Sequence, residues 1–292
     1  MVATIGIFDG VHIGHRKIIS YVVKRAEDLN TKSAAITFDP HPFKVLHPQK
    51  APKTIISLSH RIRLIEALGV DMLVVLKFTK RMAALAPRDF IKKYLVEKVN
   101  AKEVVVGSDF RFGAHKEGDI ELLKTLGAEF GFSVTPINVL EIGGRCVSSS
   151  LIRALITRGD LEGASTLLGR RVSVLGTVVH GSKVGRVLGY PTANVNPHHE
   201  AIPPSGVYAV EVKYRDKLYG GVLNIGFKPT FGKSAEPVVE AHIFGLKKRH
   251  IYGEDLEIFF VKKLRDERHF HNKESLSNAI RQDVLNARRI LK

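Results

Sequence analysis

A largely apolar run, Val2 to Phe8, opens the chain, and the residues directly after it leave few folds open. The stretch reads Gly6-Ile7-Phe8-Asp9-Gly10-Val11-His12-Ile13-Gly14-His15. After the run comes a tight turn at Asp9-Gly10, then two histidines three apart. An amphipathic pattern starts at once, with Ile18, Ile19, Val22, Val23, Ala26 and Leu29 at helical spacing. The reading is a buried strand, a turn, and a helix whose first turn carries His12 and His15 on one face. The first turn of a helix holds unpaired N–H groups and the positive end of the dipole, which suits phosphate. Gly10 and Gly14 let the backbone approach a ligand closely, and two imidazoles there can hydrogen-bond phosphate oxygens as charge builds on phosphorus. Two histidines at this spacing also serve as a cap and a solvated neighbour. The register of strand, turn, glycine and helix favours the phosphate reading.

This stretch resembles the His-x-Gly-His signature of nucleotidylyltransferases. Its fuller form, with Gly6, Phe8, Asp9 and Gly10, is similar to that of the bacterial bifunctional riboflavin kinase/FAD synthetase family. Ile7 stands where many members of that family carry Asn, which puts efficiency or nucleotide preference in question but not the reaction class.

The rest of the first half alternates. Strand-like runs at Ala34–Phe38, Val70–Leu76, Glu103–Val106 and Phe132–Val139 are separated by helical patterns from Ser59 to Leu68, after Pro87, and around Glu117–Phe130. Alternation of this kind implies a parallel sheet covered on both faces. Three of its loops carry chemistry. Asp39-Pro40-His41-Pro42 is a stiff turn at a strand end, and the resemblance implies that Pro40 and Pro42 line the flavin and nucleotide region. In Gly107-Ser108-Asp109-Phe110-Arg111-Phe112-Gly113 the phenylalanines anchor the loop; Asp109 and Arg111 either face water or reach the nucleotide, and the family's similar motif implies the second. Val147-Ser148-Ser149-Ser150-Leu151-Ile152-Arg153 offers a cap, hydroxyl donors and a guanidinium one turn in. It resembles the family's Ser-Ser-Thr-x-Ile-Arg motif, implying that Ser149, Ser150 and Arg153 act at the nucleotide. The Lys-Met-Ser-Lys-Ser loop of class I aminoacyl-tRNA synthetases is absent, which speaks against tRNA aminoacylation.

Beyond Leu168-Gly169-Arg170 the texture changes to closely spaced strands, Val172–Val179, Gly206–Tyr214, Leu218–Ile225, Val238–Gly245 and Leu256–Val261, which suggest a small antiparallel barrel. A final helix after Asn272 has an apolar stripe for docking. Gly181, Gly185 and Gly189 space a loop whose N–H groups could cradle phosphates, although it is no Walker A loop. Pro191-Thr192-Ala193-Asn194 comes next: an ordinary turn, or two oxygen donors of the kind Mg²⁺ takes. Glu240 and His242 share a strand face, and a lone Glu there is either solvated or a base. The segment resembles the Pro-Thr-Ala-Asn region of riboflavin kinases. That implies Thr192 and Asn194 as ligands of metal and nucleotide, Gly181, Gly185, Gly189 and Pro191 as the kinase ATP loop, and Glu240 as catalytic base. Arg265 matches a family arginine near the flavin, with Phe270 beside it.

Composition agrees. The 292 residues, 44% hydrophobic, suffice for two domains. No run is long enough for a membrane span, and Met1 leads into a strand without a basic region or cleavage site, so no secretory leader is expected. The single cysteine, Cys146, read as a packing residue, fits a reducing, cytoplasmic setting. A net charge of +16 suits polyanions but is dispersed, with short clusters such as Lys247-Lys248-Arg249 and no nucleic-acid motif.

The expectation is α/β plus all-β. Residues 1–168 form a Rossmann-like nucleotidylyltransferase domain that adenylylates FMN, with His12 and His15 catalytic. Residues 169–292 form a six-stranded antiparallel β-barrel with a C-terminal helix, the riboflavin kinase. The substrates implied are riboflavin, FMN and ATP, with Mg²⁺. No nucleic acid or membrane partner is expected, and the chain is taken as a monomer or weak homo-oligomer. A nucleotidylyltransferase with a degenerate barrel and an RNA- or flavin-binding regulator stand as rivals.

Overall fold

The computed structural model describes residues 1–181, 189–198, 200–228, 236–246 and 251–292. Gly185, Pro229, Thr230 and the basic cluster at 247–249 lie outside the described residues. The chain divides into two compact units, Met1–Thr54 with Leu58–Leu151, and Ile55–Ser57 with Ile152–Lys292.

The first unit is built on a parallel sheet of β1 (Val2–Ile5), β2 (Ser33–Asp39), β3 (Met72–Lys77), β4 (Glu103–Gly107) and β5 (Ser133–Ile137), in the order β3-β2-β1-β4-β5. Successive side chains of a strand point to opposite faces. Thus Ala3, Ile5, Val104 and Val106 join one core with Phe90, Leu95 and Leu123, while Val2 and Val105 join another with Val22 and Ala26. Both faces are covered, so these strands read as apolar runs rather than alternating ones. The helices are α1 (Ile13–Asp28), α2 (Pro42–Leu46), α3 (Leu58–Glu66), α4 (Lys80–Ala83), α5 (Pro87–Ile91) and α6 (Ile120–Phe130), with a π-helical stretch at Lys92–Glu97. A two-stranded ribbon, β6 (Glu141–Ile142) and β7 (Arg145–Cys146), precedes α7 (Ser149–Arg158), which runs across the division between units, and α8 (Leu161–Leu168). The strand order reverses between β1 and β4, and in open α/β sheets ligands bind outside the strand ends at that point.

The second unit is a closed barrel of β8 (Ser173–Val179), β9 (Ala193–Asn196), β10 (Gly206–Tyr214), β11 (Lys217–Lys228), β12 (Glu236–Ile243) and β13 (Asp255–Arg265), in the cyclic order β10-β11-β12-β9-β8-β13 with every pair antiparallel. The sixth strand, β9, is the Ala193–Asn196 segment, too short to stand out as a strand in the sequence. Along β10, Val207 and Ala209 pack with Ala287 of α9 (Lys273–Ile290), while Tyr208 takes the opposite face against Phe260, ring centroids 5.4 Å apart. The Tyr208 hydroxyl donates to the Pro204 carbonyl at 2.7 Å, and burial pushes its phenol up to about 12. The expected α/β plus all-β architecture, with its C-terminal helix, is the one observed.

Candidate active sites

In the first unit the turn after β1 is held in an unfavourable backbone form. Phe8 (φ 51°), Gly10 (φ 84°) and Val11 (φ 40°) are all left-handed. A glycine adopts such angles freely, but a phenylalanine and a β-branched valine do so only when their surroundings impose it. Both side chains are 2% exposed. The turn delivers His12 as the N-cap of α1, its Nδ1 accepting from the His15 backbone N–H at 3.3 Å. Because Nδ1 accepts, the His12 proton sits on Nε2. The two imidazoles stack at 3.5 Å between centroids, and Phe8 meets His15 edge-on at 5.3 Å. Gly14 is close-packed here, since a Cβ would come within 3.3 Å of the His12 ring. His15 Nδ1 is shut off from solvent and, among the described residues, has no hydrogen-bond partner. Burial, then His12, then the Arg61 charge push the His15 imidazole well below the usual histidine range, so it is uncharged at neutral pH.

The other predicted residues of this unit fall into three groups. Ser149 Oγ donates to the Asp9 carbonyl at 2.8 Å, bringing the start of α7 to the turn, while Ser150 is exposed. Arg153 lies one turn further along α7, half-buried and counted with the second unit. Asp109 folds back over Gly107 at the end of β4, beside the turn from β1; both Asp109 and Arg111 are exposed, and Arg111 Nη1 donates to Asp119 Oδ2 at 3.1 Å. Pro40 and Pro42 follow β2, with a cis Asp39–Pro40 bond and Pro42 opening α2. The sequence reading missed Arg61. A helical pattern was expected from Ser59 to Leu68; in α3 the buried residues are His60, Arg61 and Ile65. Arg61 lies four before Ile65 and seven before Leu68, so a charge in an apolar slot was the signal available. Ile7, the departure from the family pattern, packs its side chain against the core.

In the second unit, strand register assembles the site. Glu240 of β12 pairs with Asn194 on one side and Asn224 on the other, so one carboxylate and two amides lie abreast on one barrel face. Gly181 is tight against this row, since a Cβ there would sit 2.0 Å from the Asn194 amide nitrogen. His242, two residues on from Glu240, donates from Nδ1 to the Pro191 carbonyl at 2.9 Å, and its ring meets Tyr190 edge-on. A cavity of about 210 Å³ is walled by Thr192, Asn224, Glu240, His242, Arg265 and Phe270, among others. Arg265 is held by Asp283 of α9, with Nε at 3.0 and 3.1 Å from the two carboxylate oxygens and Nη2 at 2.8 Å from Oδ2, and it lies over Phe270. Asp283, placed in the sequence among the mostly apolar stripe of this helix, is 5% exposed and is the residue that orients Arg265. His242 was legible as sharing a strand face with Glu240, but not as a wall of one cavity with Asn224.

A parallel sheet whose strand order reverses between β1 and β4, with His12 and His15 directly after β1, and a barrel face pairing a carboxylate with oxygen donors fit a two-unit nucleotide-using transferase. The family model for FAD synthetase matches residues 1–151, and that for riboflavin kinase matches residues 168–291. The bifunctional riboflavin kinase/FMN adenylyltransferase of Buchnera aphidicola subsp. Acyrthosiphon pisum is 38% identical over 97% of this chain and 91% of its own length. That of Escherichia coli K12 is 37% identical over 98% and 91%. A crystal structure described as a macrolide-efflux protein from Streptococcus pneumoniae superposes with a TM-score of 0.85 at 31% identity, covering 98% of this chain and 93% of that one. Among the described residues no helix is long and apolar enough to cross a membrane. The chain belongs to the family of bifunctional riboflavin kinases/FMN adenylyltransferases.

Proposed function

We propose that the two activities of this family are divided between residues 1–168, the adenylyltransferase domain, and residues 169–292, the kinase domain. The chain is a bifunctional enzyme of FAD biosynthesis: it phosphorylates riboflavin with ATP to FMN, and adenylylates FMN with ATP to FAD and pyrophosphate. The single observation that carries the kinase assignment is the row of Asn194, Glu240 and Asn224 beside the cavity wall.

In the barrel, Glu240 takes the proton of the ribityl 5′-hydroxyl as its oxygen attacks the γ-phosphorus; the bond from that phosphorus to the β-phosphate oxygen breaks, and ADP leaves as FMN forms. Thr192 and Asn194 offer hard oxygen donors, which fit Mg²⁺. Mg²⁺ takes oxygen ligands, so substrate phosphate oxygens would complete the donor set that Thr192 and Asn194 begin. When bound, Mg²⁺ offsets charge on the transferring group. The kinase ATP loop is assigned to Gly181, Gly185, Gly189 and Pro191, and the flavin border to Arg265 with Phe270.

In the first unit no protein nucleophile is needed. The FMN phosphate attacks the α-phosphorus, the bond to the β-phosphate oxygen breaks, and pyrophosphate leaves. His12 presents its Nε2–H, and the uncharged His15 lies against it. With the N-terminus of α1, Gly6, Phe8, Asp9, Gly10 and Gly14 of the turn, and Asp109, Arg111, Ser149, Ser150 and Arg153, they hold and neutralise the phosphates. Pro40 and Pro42 border the flavin. The enzyme works in the cytoplasm as a monomer or weak homo-oligomer, with no nucleic-acid partner, a reading supported by its one cysteine and dispersed charge.

The test is incubation with riboflavin, ATP and Mg²⁺, then chromatography for FMN and FAD. Glu240→Gln abolishes FMN formation from riboflavin while FMN is still converted to FAD. His12→Ala with His15→Ala does the reverse, and a crossed result overturns the division of labour.

A further inference from the structure

The left-handed turn after β1 needs something beneath it that imposes its shape, and α3 supplies a candidate. Arg61 is 4% exposed. Its Nη1 donates to the Ile7 carbonyl at 2.6 Å and to the Thr37 hydroxyl at 3.2 Å, and Thr37 Oγ1 donates to the same carbonyl at 3.0 Å. Its Nη2 stands 3.8 Å from Asp39 Oδ1. One guanidinium therefore ties the turn after β1 to the end of β2, where the Pro40 loop begins. A lysine has the charge but not the planar fork that makes these contacts together. Arg61 Nε is sealed from water and, among the described residues, has no hydrogen-bond partner. That arrangement is destabilising, and an apolar side chain in the same slot would avoid it. The charge serves the turn rather than the core.

We propose that Arg61 is a positioning residue for adenylyl transfer: from beneath, it clamps the turn that presents His12 and His15 and ties it to the loop after β2. This rests on the assignment of FMN adenylylation to that turn. The clamp also has an electrostatic side. His15 faces His12 from the turn and Arg61 from α3, while Asp9 and Asp39 act in turn on Arg61. The Arg61 charge opposes a second positive charge on the stacked imidazoles, so they meet the phosphates as hydrogen-bonding groups.

The test compares wild type, R61K and R61Q, measuring the FMN-to-FAD rate at saturating substrates across pH 5 to 8. Riboflavin-to-FMN conversion by the same samples reports that the chain is folded. R61K keeps the cation and loses the fork, so kcat for adenylylation falls about tenfold with its acid limb unmoved. R61Q loses the cation as well. Its kcat falls about 100-fold with a smaller change in KM for ATP, and its acid limb moves to higher pH because His15 then takes up a proton more readily. A merely structural arginine would lower both activities together rather than kcat for adenylylation alone. Wild-type adenylylation and acid limb in R61Q overturn the proposal. Should R61Q lose both activities, R61K decides: slowed adenylylation with intact kinase supports the clamp, and a wild-type rate overturns it. If H12A/H15A still makes FAD, the site assignment falls and the clamp falls with it; if H12A/H15A is inactive but R61Q is not, only the clamp falls.

Discussion

Asp283→Ala removes the carboxylate around which Arg265 is held. The two side chains are 7% and 15% exposed, and three N–O contacts of 2.8 to 3.1 Å join them. Two charges about 4 Å apart attract by about 4 kcal/mol at an effective dielectric of 20, and desolvation offsets much of it. The net worth of the pair is therefore small, but breaking it is not. Stranding one buried charge costs about 3–5 kcal/mol. Arg265 keeps some water and its Nη1 bond to the Asp266 carbonyl, which places the loss at the lower end, about 3 kcal/mol. At roughly 4 °C per kcal/mol for a unit between the 100- and 150-residue classes, the kinase transition falls by about 12 °C in calorimetry. Kinase activity falls as well, because Arg265 lines the cavity. FMN-to-FAD conversion at 25 °C serves as the reference and stays near wild type. Replacing both partners, R265M/D283L, leaves no stranded charge, so its transition lies within about 3 °C of wild type although its kinase activity is lost. A D283A shift under 2 °C, or a double variant as unstable as D283A, refutes the buried-pair reasoning.

Two further predictions come from other parts of the fold. Gly181→Ala places a methyl group where the Asn194 amide sits, so riboflavin phosphorylation falls at least tenfold in a coupled assay while adenylylation of supplied FMN is unchanged. Cys146 is exposed and its Sγ–H donates to Glu141 Oε1 at 3.4 Å, a hydrogen bond and negative charge that push the thiol up. Less thiolate at neutral pH means slow alkylation, so iodoacetamide modifies Cys146 more slowly than free cysteine at pH 7, and E141Q speeds it, as read by intact mass.

The sheet and barrel were legible because their strands are built from apolar side chains. Ala3, Ile5, Val104 and Val106 are buried by the same chemistry that makes them conspicuous in the sequence. The turn after β1 and the placing of His12 and His15 at the start of α1 were legible because Gly10 marks the turn and helical spacing begins directly after it. Cys146 went the other way: expected as packing, it sits exposed on β7, because a two-residue strand in a ribbon has no core to enter. What patterning missed shares one physical origin. Arg61 and Asp283 are charges placed where helical spacing asks for an apolar residue, and each is tolerated only because a partner reaches it from far along the chain: Ile7 and Thr37 for the first, Arg265 for the second. Periodicity measures transfer from water to the core one side chain at a time, so it scores a buried charge as an error in the pattern. The compensating hydrogen bond is a two-body quantity, and neither partner's own segment contains it. β9 escaped for the same reason: four residues cannot declare a strand alone, and only the pairing of Asn194 with Glu240 makes them one. Charges interrupting an apolar helical stripe are therefore where a site's supports are to be sought once its ligand-facing motif has been found.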